Sequence, residues 1–161
     1  MGTVTTLAGG AQIGRTAAPA PIFAENVIDI EAWVTAEGGA LVAGDIIEAI
    51  SVPAEHIVLT AGIEVVSPLV GESADTRFLL GVVGGDVDAF VASWDATAAA
   101  AGAYAPATQT GQVMFGAADT IDLELDAATT GPTAGKLRVW ALMVPVSGRI
   151  LADEVDRDQL A

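Results

Sequence analysis

Between residues 120 and 143 the chain alternates apolar and polar side chains twice. In Thr120-Ile-Asp-Leu-Glu-Leu-Asp126, Ile121, Leu123 and Leu125 fall on one side of an extended chain and Asp122, Glu124 and Asp126 on the other. That period of two is the mark of a half-buried strand. Beyond the turn residues Thr130-Gly-Pro-Thr-Ala-Gly135, the segment Lys136-Leu-Arg-Val-Trp-Ala-Leu-Met143 alternates again, with Leu137, Val139, Ala141 and Met143 inward and Lys136 and Arg138 outward. Two such strands joined by a turn predict an antiparallel hairpin in which Lys136 and Arg138 face the carboxylates of the first strand.

The same pattern recurs upstream. Residues 27–35 alternate Ile28, Ile30, Ala32 and Val34 against Asp29, Glu31 and Trp33, and Glu37-Gly-Gly39 turns the chain. Residues 45–52 form a second strand closed by Pro53, which cannot donate to a ladder in mid-strand. Residues 57–66 form a third, with Ile57, Leu59, Ala61, Ile63 and Val65 on one face, and residues 76–83 a fourth. Residues 112–115 make a short fifth before the two strands already described. About seven short strands with turn signals roughly every ten residues predict an all-β fold, an antiparallel β-sandwich or jelly roll. Residues 84–94 break the rhythm: Val87, Phe90, Val91 and Trp94 are spaced three or four apart, which predicts a short helix capped by Asp86 or Asp88. Residues 96–106, nearly all Ala, Gly and Thr around Tyr104, predict an irregular segment crossing one end of the sandwich.

The ends differ from the middle. Residues 1–25 carry a single base, Arg15, before Glu25 and mix small residues, prolines and a few apolar side chains without period, so an extended N-terminal arm is expected. Either it is a flexible leader, or Ile13, Ile22 and Phe23 dock it on a neighbouring subunit. Residues 26–147 make the sandwich domain, and residues 148–161 an acidic C-terminal tail that frays or forms one or two helical turns.

Composition bounds the rest. With 52% hydrophobic and 17% charged residues over 161 positions, the chain is too apolar for disorder and long enough for one core. There is no cysteine, which excludes a disulfide framework or a thiolate metal site and fits a reducing cytoplasm. No apolar run is long enough to span a membrane, and the first residues lack the basic start of an export signal. The formal charge is −15, from 21 acidic and six basic residues. Such a surface repels nucleic acid, which is held by counterion release to Lys and Arg. It keeps a protein soluble, in a salty habitat for example, or discourages clumping of many copies on the outside of a larger object.

Candidate chemistry is sparse. The one histidine, His56, sits in a turn with no second His or Cys to complete a zinc site or a nucleophile pair. Asp122 with Glu124, and Asp153 with Glu154, read as solvated carboxylates, since nothing nearby separates their pKa values. Gly85-Asp-Val-Asp88 matches half a calcium loop and lacks the twelve-residue ligand pattern, leaving a composite cation site at Asp86 and Asp88 open. The Gly pairs at 9–10, 38–39 and 84–85 are not followed by phosphate-loop residues, and no G-x-S-x-G elbow occurs. No catalytic residue, cofactor or metal is implied, and an enzyme is the weakest of the classes.

One resemblance carries further. Gly44-Asp-Ile-Ile-Glu-Ala-Ile-Ser-Val-Pro53, Leu59-Thr-Ala-Gly-Ile-Glu-Val-Val66, Gly81-Val-Val-Gly-Gly-Asp-Val-Asp-Ala-Phe90, the Ala-rich run to Tyr104, Asp119-Thr-Ile-Asp-Leu-Glu-Leu125 and Lys136-Leu-Arg-Val-Trp-Ala141 together resemble small acidic virion proteins of tailed bacteriophages, many from aquatic hosts. The likeness spans residues 44–146 and rests on strand patterning and Ala-rich loops. It implies a capsid decoration or cement protein bound in many copies to the outer face of the head, often as trimers, with the major capsid protein and itself as partners. Interface positions under this reading are Ile13, Arg15, Ile22, Phe23, Trp94 and Tyr104. The alternatives are an adhesin or carbohydrate-binding sandwich using Trp33, Trp94 and Tyr104 as stacking platforms, and a small β-barrel enzyme.

Overall fold

The computed structural model describes residues 20–105, 107 and 112–146. Among them lie β1 (Ile22–Asp29), α1 (Ile30–Glu37), β2 (Ile46–Val52), β3 (His56–Val70), β4 (Arg77–Gly81), β5 (Val91–Asp95), β6 (Tyr104–Ala105), β7 (Val113–Phe115), β8 (Asp119–Ala127) and β9 (Ala134–Pro145). The first sheet has the order β1-β9-β3-β6, with β7 also on β3, and the second β2-β8-β4-β5. Every pairing is antiparallel. The pairs are nested: β4 with β5, outside them β3 with β6, then β2 with β8, then β1 with β9. A long antiparallel hairpin rolled up in this way is a jelly roll.

The alternating strands supply the core. Ile121, Leu123 and Leu125 of β8 and Phe78 and Leu80 of β4 face Val58, Ala61, Ile63 and Val65 of β3 and Leu137, Val139, Ala141 and Met143 of β9, all within one buried cluster. Each large aliphatic or aromatic side chain taken out of water stabilises the fold by ~1.5–3 kcal/mol.

Nesting corrects the expected hairpin. β8 and β9 follow one another in sequence, yet they lie in different sheets and do not pair. Their apolar sides meet across the sandwich, which buries both, whereas a hairpin would set them side by side in one sheet. The connection is therefore an arch. Ser73 N donates to Thr130 O (2.9 Å) and Thr133 N to Val70 O (2.8 Å), tying the arch to the β3–β4 loop. Gly131 passes so close to residue 41 that a Cβ would lie 1.6 Å from the Leu41 carbonyl oxygen.

Three further expectations change. The strand placed at 27–35 runs instead from Ile22 to Asp29 and gives way to α1. Asp29 caps that helix by accepting from Ala32 N, and Gly38 closes it in the left-handed region at φ 79°. Ile28 and Ile30 are both buried, so the local apolar pattern alone did not separate strand from helix. The single face expected for residues 57–65 switches: Val58 pairs Met143 and Thr60 pairs Leu142, so Leu59 is an extra residue. This bulge puts Val58 and Ala61 on the inner side and Ile57 on the outer. Residues 84–94 form no helix. Residues 82–90 turn back over β4, where Val82 N donates to Asp86 O and Phe90 N to Leu80 O (both 2.9 Å), and β5 begins at Val91. Burial of Phe90 and Val91 together, with Trp94 opposite Phe78, won over the helical spacing.

The arch carries a direct test. Gly131→Ala forces backbone against backbone at Leu41 and is expected to cost ~3 kcal/mol or more in a chemical denaturation midpoint analysis. An open hairpin turn at this place would tolerate the alanine with less than about 1 kcal/mol lost.

Candidate functional site

The sandwich presents two outer faces of opposite chemistry. On the first sheet, β9 is apolar on both sides from Val139 to Val144. Leu137, Val139, Ala141 and Met143 are buried, so Lys136, Arg138, Trp140, Leu142 and Val144 point outward. Cross-strand register sets their neighbours: Trp140 lies between Glu25 and Gly62, Leu142 between Phe23 and Thr60, and Val144 beside Ile57, which in turn pairs Met114 of β7. The Trp140 ring lies over Gly62, where a Cβ would be 2.8 Å from it. Phe23 stacks on Trp140 with ring centroids 6.3 Å apart and planes 19° apart. One half of this outer face is thus a band of apolar side chains, with Phe23 60% and Met114 52% exposed at its flanks.

The other half of the same face is charged and internally matched. Lys136 Nζ is 2.8 Å from Asp29 Oδ2. Arg138 lies between Glu64, to which it donates from Nε (3.0 Å) and Nη2, and Glu25 (3.5 Å). The hydrogen bond from Lys136, helped by the helix-cap bond from Ala32, holds the Asp29 carboxyl below its ordinary pKa, and the same partner raises Lys136. Glu64 likewise raises Arg138. The basic pair thus meets carboxylates of β1 and β3 in its own sheet, where the hairpin reading had placed those of β8.

The outer face of the second sheet is acidic. Glu48 pairs Asp122, and Glu124 lies between Ile46 and Leu79. Asp122 is buried under the 82–90 turn, accepting from Val83 N (2.9 Å) and Thr120 Oγ1 (2.6 Å). Asp126 accepts from Ser93 Oγ (2.7 Å). Asp86 and Asp88 stand beside it: a hydrogen bond with Asp86, then partial loss of water, then repulsion from Asp86 raise the Asp88 pKa. Among the described residues, no group of three or more His, Cys, Asp or Glu side chains is arranged to hold a metal.

Little else offers chemistry. A depression of ≈ 270 Å³ opens between Val82, Asp86, Ala89, Met114 and Asp119, and among the described residues no Ser, Thr, Cys, Lys or His lines it. His56 starts β3 with Nδ1 2.9 Å from Ala54 O, the proton's position being set by tautomer. Among the described residues no helix is long and apolar enough to cross a membrane. At one end of the sandwich Asp75 clamps two loops, accepting from Ser73 Oγ, Thr129 N (3.0 Å) and Thr129 Oγ1 (2.9 Å). These bonds lower its pKa to about 2, the Ser73 hydroxyl contributing most.

The expected interface residues are dispersed. Ile13 and Arg15 lie outside the described residues. Ile22 and Phe23 open β1, the edge strand of the first sheet, opposite Met143 and Leu142. Tyr104 is 67% exposed on β6, opposite Glu64. Trp94 is on β5 and packs against the core, as does Trp33 of α1. Sequence reading passed over Trp140, Leu142, Val144, Ile57 and Met114. The signal was present in the unbroken apolar run 139–144, which marks a strand covered on both faces.

The fold defines the class, an antiparallel jelly-roll sandwich. No protein-family model matches the sequence, and no curated protein matches it. Solved structures do match. A chain in the cyanophage Pam1 capsid asymmetric unit is 14% identical with a TM-score of 0.58, over 80% of this chain and 86% of that one. A chain in the capsid of Ralstonia phage GP4 is 18% identical with a TM-score of 0.58, over 81% and 87%. A chain in the acidic stable capsid structure of Helicobacter pylori bacteriophage KHP30 is 11% identical with a TM-score of 0.54, over 81% and 92%. At these identities what is shared is the fold.

The Asp75 clamp predicts an acid response. A carboxyl depressed from 3.8 to about 2 in the folded state contributes stability that is complete above 3.8 and is lost as pH falls through about 2. Melting temperature measured from pH 5 to pH 2 is expected to fall less steeply in Asp75→Asn than in the parent, because the variant has already lost this contribution. Parallel curves would remove Asp75 from the account.

Proposed function

We propose that this chain is a structural component of a bacteriophage capsid, a decoration or cement protein that binds the outer surface of the head and bridges major capsid subunits. One observation carries the reading: the jelly roll superposes, over four-fifths of the chain, on chains from the capsids of three phages. The surface chemistry supports an exterior position. With a formal charge of −15 the protein is repelled by packaged DNA and has no means of recruiting phosphates. Its role needs no turnover, only many weak contacts that add through multivalency. Self-association, as a trimer, belongs to the same proposal, and so does docking of the arm of residues 1–25, with Ile13 and Arg15 before β1 and Ile22 and Phe23 at its start, on neighbouring subunits. An adhesin reading is less well supported. Trp33 and Trp94 turn toward the core, and only Tyr104 of the three suggested platform residues is exposed.

The purified protein, added to phage heads assembled without it, is expected to co-sediment with them at a fixed ratio to the major capsid protein. It is also expected to raise the temperature at which they release DNA. Removing residues 1–20 is expected to lower occupancy at least tenfold. Unchanged occupancy would discard the arm, and absence of binding by the full chain would discard the decoration role.

A further inference from the structure

The proposal that this chain works in several copies leaves open which surface the copies share. Two observations select it. First, the acids are unevenly neutralised. On the outer face of the first sheet Asp29, Glu25 and Glu64 are matched by Lys136 and Arg138. On the second sheet Glu48, Glu124 and Asp126, with Asp86 and Asp88 beside them, outnumber the base of that face, Arg77, which lies opposite Asp95 and Ala127. Meeting through the second sheet would set uncompensated carboxylates against their own copies, a repulsion that grows with desolvation. Meeting through the first sheet brings three carboxylates against two bases, a single charge in excess.

Second, the apolar band is on that same matched face. Trp140 and Leu142 lie at its centre, with Phe23 on one flank and Met114 on the other. Strands β1, β9 and β3, ~4.8 Å apart, with the short β6 and β7 beyond β3, give the whole outer face, apolar band and charged half together, roughly 600 Å². That is the same order as the ~800 Å² per partner that a standard stable interface covers. Aromatic anchors in an apolar centre beside matched charges are the composition such interfaces share.

We infer that the outer face of the first sheet is the contact between copies of this chain, through the Phe23–Trp140–Leu142–Met114 band, leaving the acidic second sheet toward solvent. The inference rests on the reading that the protein acts as a homo-oligomer, and its test uses the protein alone, without heads.

Sedimentation equilibrium of the full chain is expected to show an oligomer that tightens as salt screens the net charge. The double variant Phe23→Glu with Met114→Glu is expected to weaken it at least a hundredfold while keeping the parent's circular dichroism and melting profile, since both side chains are half exposed or more. The control Val42→Glu with Ile46→Glu adds the same charge at exposed apolar positions away from the band and is expected to leave association within threefold of the parent. A parent that stays monomeric at high concentration overturns the inference, as does a control that dissociates as far as the Phe23 and Met114 variant. If the parent is monomeric yet binds heads, and the Phe23 and Met114 variant does not, the band takes the shell. The decoration reading then stands and the self-contact falls.

Discussion

From Val139 to Val144 strand β9 is apolar on both faces, and the arrangement of the molecule follows from having to cover each. Its inner side, Leu137 to Met143, closes the sandwich against β8 and β4. Its flanks are taken by β1 and β3, which satisfy its backbone and place Glu25, Asp29 and Glu64 beside its two bases. Because β9 is claimed on both edges, β8 cannot pair with it and joins β2 and β4 in the other sheet. The arch through Gly131 is the consequence, and the close approach to Leu41 is the steric condition that permits it.

That division also sorts the charge. Chain connectivity sends the alternating carboxylates of β8 to the outside of the second sheet, away from Lys136 and Arg138, while β9 carries both bases to the first. One face therefore becomes a matched, partly apolar surface and the other an acidic one. A globular protein seldom leaves an apolar band of this kind open unless something meets it, and an acidic reverse side suits a molecule whose far face must not attract its neighbours.

Much of this was legible from the residues. Period-two alternation located β3, β8 and β9, short apolar runs between turn residues located β2, β4 and β7, and their number with frequent turns predicted a sandwich or jelly roll. Partnership was not legible, because Ile121–Leu125 and Leu137–Met143 bury their apolar sides equally well as sheet neighbours or across a core. The helix escaped because Ile30 and Val34, four apart, fit both periods, and the Asp29 and Gly38 caps separate them. The helix expected at 84–94 failed because Phe90 and Val91, adjacent in sequence, are both buried where the chain turns onto the edge of the second sheet. The apolar outer band was written in residues 139–144, yet it becomes a surface only when β1 and β7 bring Phe23 and Met114 to its sides.

The most direct measurement is a cryo-electron-microscopy reconstruction of phage heads to which this protein has been added. The account predicts density for the jelly roll on the exterior of the shell, with the Phe23–Trp140–Leu142 band covered by protein and the Glu48 and Glu124 face open to solvent. A jelly roll inside the shell, or one docked by its acidic sheet with the Trp140 band bare, would contradict it.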